Sequence, residues 1–277
     1  MSSILDIFSL HLAPALAVVF RVAGLALFAP ILASIAVPAR TRIFLYLLVG
    51  LSVYPTLAAG PLAARSALPF SLGGLIPLIA AELLIGAVIG FLALLPLAAM
   101  QMGGVVIGQQ MGLGFARIYN PAFDDEADVL EQILFFLGFA VFIAAGGLEH
   151  MMHAILRSFH FVRLGGVGAV VAVGGYGLDN SLLRLVAGTM LAATEVSLRI
   201  AAPLVCLFFL ETIAMGFVSK SVPALNLMAL GFPLRILAGL SIMVVGMAAV
   251  GEVLGTFLAA DVVLLGEWFV VANGEVG

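Results

Sequence analysis

The chain has 277 residues, 64% of them hydrophobic and 9% charged, with a net charge of −4. No soluble core of this length requires that balance; repeated membrane spans do, and at roughly 20 apolar residues per span there is room for six or so segments and no sizeable soluble domain. One lysine, Lys220, and ten scattered arginines make no basic footprint, which sets aside nucleic acid and recognition of anionic lipid. The single cysteine, Cys206, cannot form an internal disulfide and is expected to be a buried, inert thiol.

Residues 1–20 look like a signal peptide only superficially, because Asp6 stands among them, no basic residue precedes Arg21 and the apolar character continues through 22–37. They are expected to be mature protein. The first span is placed at about 13–36, with Arg21 inside it and Pro30 bending it. A short basic turn, 38–42, carrying Arg40 and Arg42, separates it from a second span at 43–57. The positive-inside tendency puts that turn on the cytoplasmic side, against which Arg65 stands in the next loop.

From 72 to 107 the chain is almost continuously apolar, and an unbroken helix of that length would reach ~54 Å, beyond a ~30 Å hydrocarbon core. It must bend, break or project, with Pro77, Pro96 and the Gly103–Gly104 pair as break points and Gly86 with Gly90 as a close-packing face beside Glu82. The next stretch, 103–121, reads GGVVIGQQMGLGFARIYNP and is the odd piece of the chain. Gly104, Gly108 and Gly112 recur every four residues, which on a helix makes one smooth packing face. Non-helical backbone at membrane depth is tolerated only inside protein or beside a cavity, so the same residues also fit a plug or constriction loop. Both readings stand at this point.

An acidic run follows, Asp124, Asp125, Glu126, Asp128 and Glu131, suited to a solvated helix N-terminus before an apolar helix at 133–145. Residues 155–177, broken around 164–168, form an interfacial connection and a weakly apolar segment. The last hundred residues predict a helical hairpin: two long apolar arms, 182–218 and 233–265, joined by a turn at 219–232. Pro203 should kink the first arm, and Gly246, Gly251 and Gly255 should thin the second for close neighbours.

Glu82, Glu195, Arg199, Glu211, Glu252 and Asp261 lie in or beside apolar segments, where ionisable groups need a partner or water. Glu195 and Arg199, four apart with the acid first, can pair on one helix, leaving Arg21, Glu82 and Glu211 without a local partner. Those three fit either an ion pathway or polar contacts between subunits. Glu149, His150 and His153 share a helical face, but their order is not that of a zincin and no further ligand is evident, so no metal is expected. No nucleophile elbow, Walker loop or Cys/His arrangement occurs, so no enzyme activity and no cofactor are expected.

These residues resemble a known family, the R subunits of the flagellar type III export gate, whose injectisome counterparts are the T subunits. The likeness runs through Arg21, Ala29-Pro30 and Val37-Pro38, then Glu82 to Gly86, and is strongest in Gly108, Gln109, Gln110, Met111, Gly112, Leu113, Gly114, Phe115 and Ala116. It continues in Ala202-Pro203-Leu204, Pro223, Leu225-Asn226, Gly231-Phe232-Pro233 and Gly239. Asn120 departs from it, since an aspartate usually precedes that proline in the family.

The resemblance implies an all-α membrane protein of bent and broken long helices, with a P-subunit-like part at 1–178 and a Q-subunit-like helical hairpin at 179–277. It implies a structural and gating subunit in the bacterial inner membrane, within the flagellar basal body, whose central loop (about 103–121, with 108–115 its motif) helps to plug a channel for unfolded proteins. The implied partners are the P and Q gate subunits, other membrane subunits of the export apparatus, proteins in transit and membrane lipid. The alternative class is a proton- or ion-coupled transporter using Glu82, Glu195 and Glu211 at a midplane site, although the two halves show no matching interrupted segments.

Overall fold

The computed structural model describes residues 2–30, 38–59, 72–113, 129–162, 164, 176–221 and 227–272. Every element among the described residues is a helix: α1 Ser2–Phe28, α2 Ala39–Ala59, α3 Leu72–Met111, α4 Val129–Ala144, α5 Gly147–Phe161, α6 Tyr176–Ser221 and α7 Leu227–Ala272. Among the described residues, three segments are long and apolar enough to cross a membrane, Leu75–Met111, Leu183–Ser221 and Gly231–Leu258. The α4–α5 pair makes a fourth if it is one broken span.

The chain divides into two compact units, each drawn from separate parts of the sequence. One unit comprises Met1–Leu94, Gly146–Thr189 and Ala260–Gly277. Its described core is held by glycine-mediated contact between α1 and α3. A methyl group on Gly86 would overlap the Arg21 carbonyl oxygen, one on Gly90 that of Leu25, and one on Gly24 that of Leu83. Only glycine permits so close an approach, and the expected packing face at Gly86 and Gly90 is met by α1. Phe28 and Phe91 add an edge-to-face contact at 5.6 Å, and α2 joins through Gly50 on Val19 and a 2.8 Å hydrogen bond between His11 and Tyr54.

The other unit comprises Leu95–Ala145 and Met190–Ala259. Met100, Ile107, Met111, Leu130, Leu134, Leu204, Phe208 and Leu254 form its core, contributed by α3, α4, α6 and α7. Helices α6 and α7 are the predicted hairpin: Met215 lies beside Gly231, Thr212 bonds Arg235, and Phe208 lies beside Gly239, the register of two antiparallel arms. Pro203 stands inside α6, which runs as one helix from Tyr176 to Ser221.

Several boundaries differ from expectation for local reasons. α1 ends at Phe28, before Pro30, because the residue preceding a proline is pushed out of helical geometry; the remainder of the expected first span, to 36, lies outside the described residues. The basic turn is the first turn of α2, with the Arg42 amide donating to the Pro38 carbonyl at 3.1 Å. α3 is unbroken over 40 residues, ~60 Å, through Pro77, Pro96 and Gly103–Gly104, which leaves bending or projecting as its ways out of a thinner bilayer. Each glycine lowers helix stability by about 1 kcal/mol, but Gly104 seats against the α4 backbone at Leu130 and Glu131, and that contact offsets the loss. The division between the units falls at Leu94–Leu95, beside Pro96.

Candidate functional site

The glycine-rich stretch is helical as far as Met111, so its first half is a packing face and not a loop. There α3 ends in a paired set of backbone hydrogen bonds: the Gly112 amide donates to the Gln109 carbonyl and the Leu113 amide to the Gly108 carbonyl, both at 3.1 Å. This is a Schellman closure, which needs a left-handed residue just past the helix, and Gly112 supplies it with φ of 81°. Gly108 and Met111 are buried, Gln109 and Gln110 are exposed, and Leu113 packs on the core. Gly114 and Phe115, with the remainder of the expected loop to 121, lie outside the described residues.

The first unit places Arg21 and Glu82 together. Arg21 Nε donates to Glu82 Oε2 at 2.5 Å, Nη1 to Ser158 Oγ at 3.0 Å and Nη2 to the Val162 carbonyl at 3.2 Å. The guanidinium also lies over the Phe159 ring, 4.1 Å from its centroid. Both charged side chains are at most 1% exposed. A guanidinium is the group for this task, since its fork satisfies several acceptors at once and its face stacks on an aromatic ring. Ser158 passes its own proton to the Ile155 carbonyl at 2.6 Å, so its hydroxyl both accepts and donates. Arg21 thereby ties α1 to α3 and to the end of α5.

The second unit places Glu211 opposite an arginine that sequence reasoning did not single out. Arg235, on α7, approaches Glu211 Oε2 with Nε at 3.3 Å, donates from Nη2 to Thr212 Oγ1 at 2.7 Å, and reaches the Gln110 carbonyl with Nη1 at 3.5 Å. Thr212 in turn donates to the Phe208 carbonyl at 2.7 Å. The Glu211 side chain is 10% exposed, yet neither oxygen has a hydrogen bond of good geometry among the described residues, although Oε2 faces Arg235. One signal could have found Arg235: it is a lone arginine in an apolar arm, the criterion that selected Arg21.

Glu195 and Arg199 pair at 2.6 Å as their spacing predicts, on an exposed face of α6. Glu82, Glu195 and Glu211 thus each face an arginine. Glu252 is exposed, and the side chain of Asp261 lies outside the described residues. His150 Nδ1 donates to the Gly146 carbonyl at 2.9 Å, while His153 lies 3.7 Å from Glu149 on an exposed face. Cys206 is exposed, not buried, because its position on α6 faces away from the core that Leu204 and Phe208 enter. In α7, Gly251 is in contact with Val141, whereas among the described residues no atom lies within 4 Å of where a methyl group on Gly246 or Gly255 would stand.

The model of a family described as "Bacterial export proteins, family 1" matches residues 12–260. The chain is 30% identical over 224 residues to the flagellar biosynthetic protein FliR of Escherichia coli (strain K12), covering 80% of each. It is 27% identical over 239 residues to the protein of the same name from Caulobacter vibrioides, covering 84% of this chain and 88% of that one. Similarity extends to the Yop proteins translocation protein T of Yersinia pestis, 26% identical over 185 residues, 67% of this chain and 66% of that one.

Proposed function

Because the chain belongs to the family of bacterial export proteins, family 1, we propose that it is a structural and gating subunit of a type III protein export gate in the bacterial inner membrane. It has no catalytic role in this reading. Its partners are the P and Q gate subunits and the other membrane subunits of the apparatus, and unfolded flagellar proteins pass through the channel they form together. Residues 1–178 serve as the P-like part and 179–277 as the Q-like hairpin; the antiparallel contacts between α6 and α7 support the second assignment.

A gate must seal against ions and yield to a polypeptide, which requires a segment that packs well but holds little structure of its own. The observation that carries the proposal is the way α3 ends. A 40-residue apolar helix is stopped by a left-handed glycine beside a buried methionine, and the chain leaves helical geometry where the glycine-and-amide motif continues. Met100 and Met111, both in the core, have unbranched side chains that adapt to irregular contacts, so the base of the loop can shift without opening a large void.

The test is ion leakage and filament-protein export in cells whose copy of the protein lacks Gly112 to Phe115, at matched expression and with assembly checked. The cut spares the helical residues 108–111 but removes Gly112 and Leu113, whose amides close α3, so a defect reports that closure and the loop together. An intact complex with increased leakage is the expected outcome. An intact complex with unchanged leakage and normal export would reduce the stretch to a packing element.

A further inference from the structure

The last turn of α3 is gripped from one face of α7. Arg235 and Gly239, four residues apart, meet consecutive residues of α3: Arg235 reaches the Gln110 carbonyl, and a methyl group on Gly239 would lie 2.8 Å from Met111 Cε and 2.9 Å from its sulfur. Gln110 and Met111 are the last two helical residues before Gly112 turns the chain. The carbonyls of a final helical turn have no partner within the helix and carry negative partial charge, so a guanidinium there both satisfies a lone acceptor and opposes the helix dipole.

We propose that Arg235 is a positioning residue for the gate: with Glu211 and Thr212 holding its guanidinium, it anchors the end of α3 that Gly112 stops, and so fixes the place from which the glycine-rich stretch departs. This deepens the gate reading and rests on it. The geometry distinguishes the arrangement from simple packing. Of these contacts the one to Thr212 is short, at 2.7 Å, whereas those to Glu211 and Gln110 are 3.3 and 3.5 Å, and among the described residues the nearly buried Glu211 has no hydrogen bond of good geometry. A cluster satisfied in this way is held by few bonds. It can release the end of α3 without dismantling the core that Met100, Leu130 and Leu204 make on the same helices.

The experiment compares ion leakage, export and the amount of assembled complex in cells carrying the full-length protein as wild type, Arg235→Ala, Arg235→Lys and Glu211→Gln, together with the Gly112 to Phe115 deletion. Arg235→Ala should assemble and raise leakage roughly tenfold, the population change expected from losing one charged hydrogen bond of ordinary strength. Arg235→Lys keeps the charge but not the fork, and should restore most of the seal; Glu211→Gln should leak less than Arg235→Ala. Wild-type leakage from assembled Arg235→Ala, beside a leaking deletion, overturns the positioning role and leaves the gate intact. If the deletion itself does not leak, the gate reading fails instead. Should Arg235→Ala not assemble, Arg235→Lys decides: assembly with a wild-type seal supports the role, while increased leakage equal to the deletion's, or failure to assemble, overturns it.

Discussion

Arg21 and Arg235 each reach a glutamate on another helix, and the two surroundings differ in nearly every respect. Arg21 is fully buried, with all three guanidinium nitrogens engaged at 2.5 to 3.2 Å and an aromatic ring beneath the group. Arg235 is 30% exposed and its carboxylate partner stands at 3.3 Å, with no hydrogen bond of good geometry among the described residues. Taking two charges out of water is expensive, and only good geometry with every remaining donor satisfied repays it. Arg21, with a hydrogen bond from each of its three nitrogens, comes close to that condition and is a structural pin. Arg235 meets it partly, which suits a contact that has to give. In the proposed gate, depth and saturation of the polar contacts, more than the presence of an ion pair, would separate the part of the chain that stays fixed from the part that moves.

The strongest way to break this comparison is to remove the pin. Arg21→Ala should leave Glu82 buried without its guanidinium and cost about 3–5 kcal/mol, enough to deplete the protein from membranes and lose the assembled complex. Arg21→Lys should recover little, because an ammonium cannot reach Glu82, Ser158 and the Val162 carbonyl from one position. Quantifying the membrane-inserted protein and the complex for both variants checks this. If Arg21→Ala accumulates normally, the node is not a pin and the contrast with Arg235 disappears.

Next in size is the glycine contact that brings Arg21 to Glu82. Gly86→Ala places a methyl group on the Arg21 carbonyl, and the backbones must separate, at a cost of about 1–3 kcal/mol. Gly188→Ala, in the same unit but with no described atom near the added methyl, should be neutral or stabilising by up to about 1 kcal/mol through helix propensity. Apparent melting temperatures of the purified complex should fall for the first and not for the second. Gly112→Ala should lie between them, losing roughly 1–2 kcal/mol because alanine resists a φ of 81°. Its effect should appear at the seal before it appears in assembly.

The hairpin, the glycine face beside Glu82 and the Glu195–Arg199 pair were legible because each follows from a period: apolar runs of helical length, small residues four apart, opposite charges four apart. What was not legible joins residues far apart in sequence. The Arg21–Glu82 bond spans 61 positions and the Arg235–Gln110 contact 125, and neither leaves a periodic trace. Arg21 and Glu82 were noted as needing partners without a way to find each other. The continuity of α3 was hidden for a related reason: Gly103–Gly104 is a breaker by propensity, and the contacts of Gly104 with α4 oppose that local preference.

The smallest expected effect sharpens the comparison from the exposed side. Glu195 and Arg199 are paired at 2.6 Å with 61% and 68% of their side chains exposed in the isolated chain. Surrounded by water, an i, i+4 pair of this kind contributes about 0.3–0.5 kcal/mol, and a double-mutant cycle with Glu195→Gln and Arg199→Gln in the purified complex should return a coupling of that size. A coupling several times larger would mean that the pair is desolvated in the assembly, since a neighbouring subunit or lipid raises the interaction by lowering the local dielectric. Repeating the cycle in high salt separates the cases: screening should abolish the coupling of a hydrated pair and leave that of a covered one nearly unchanged. The salt dependence therefore reads out whether the face of α6 that carries Glu195 and Arg199 is wet or occupied, and so whether this third arginine belongs with Arg21 or stands apart from both.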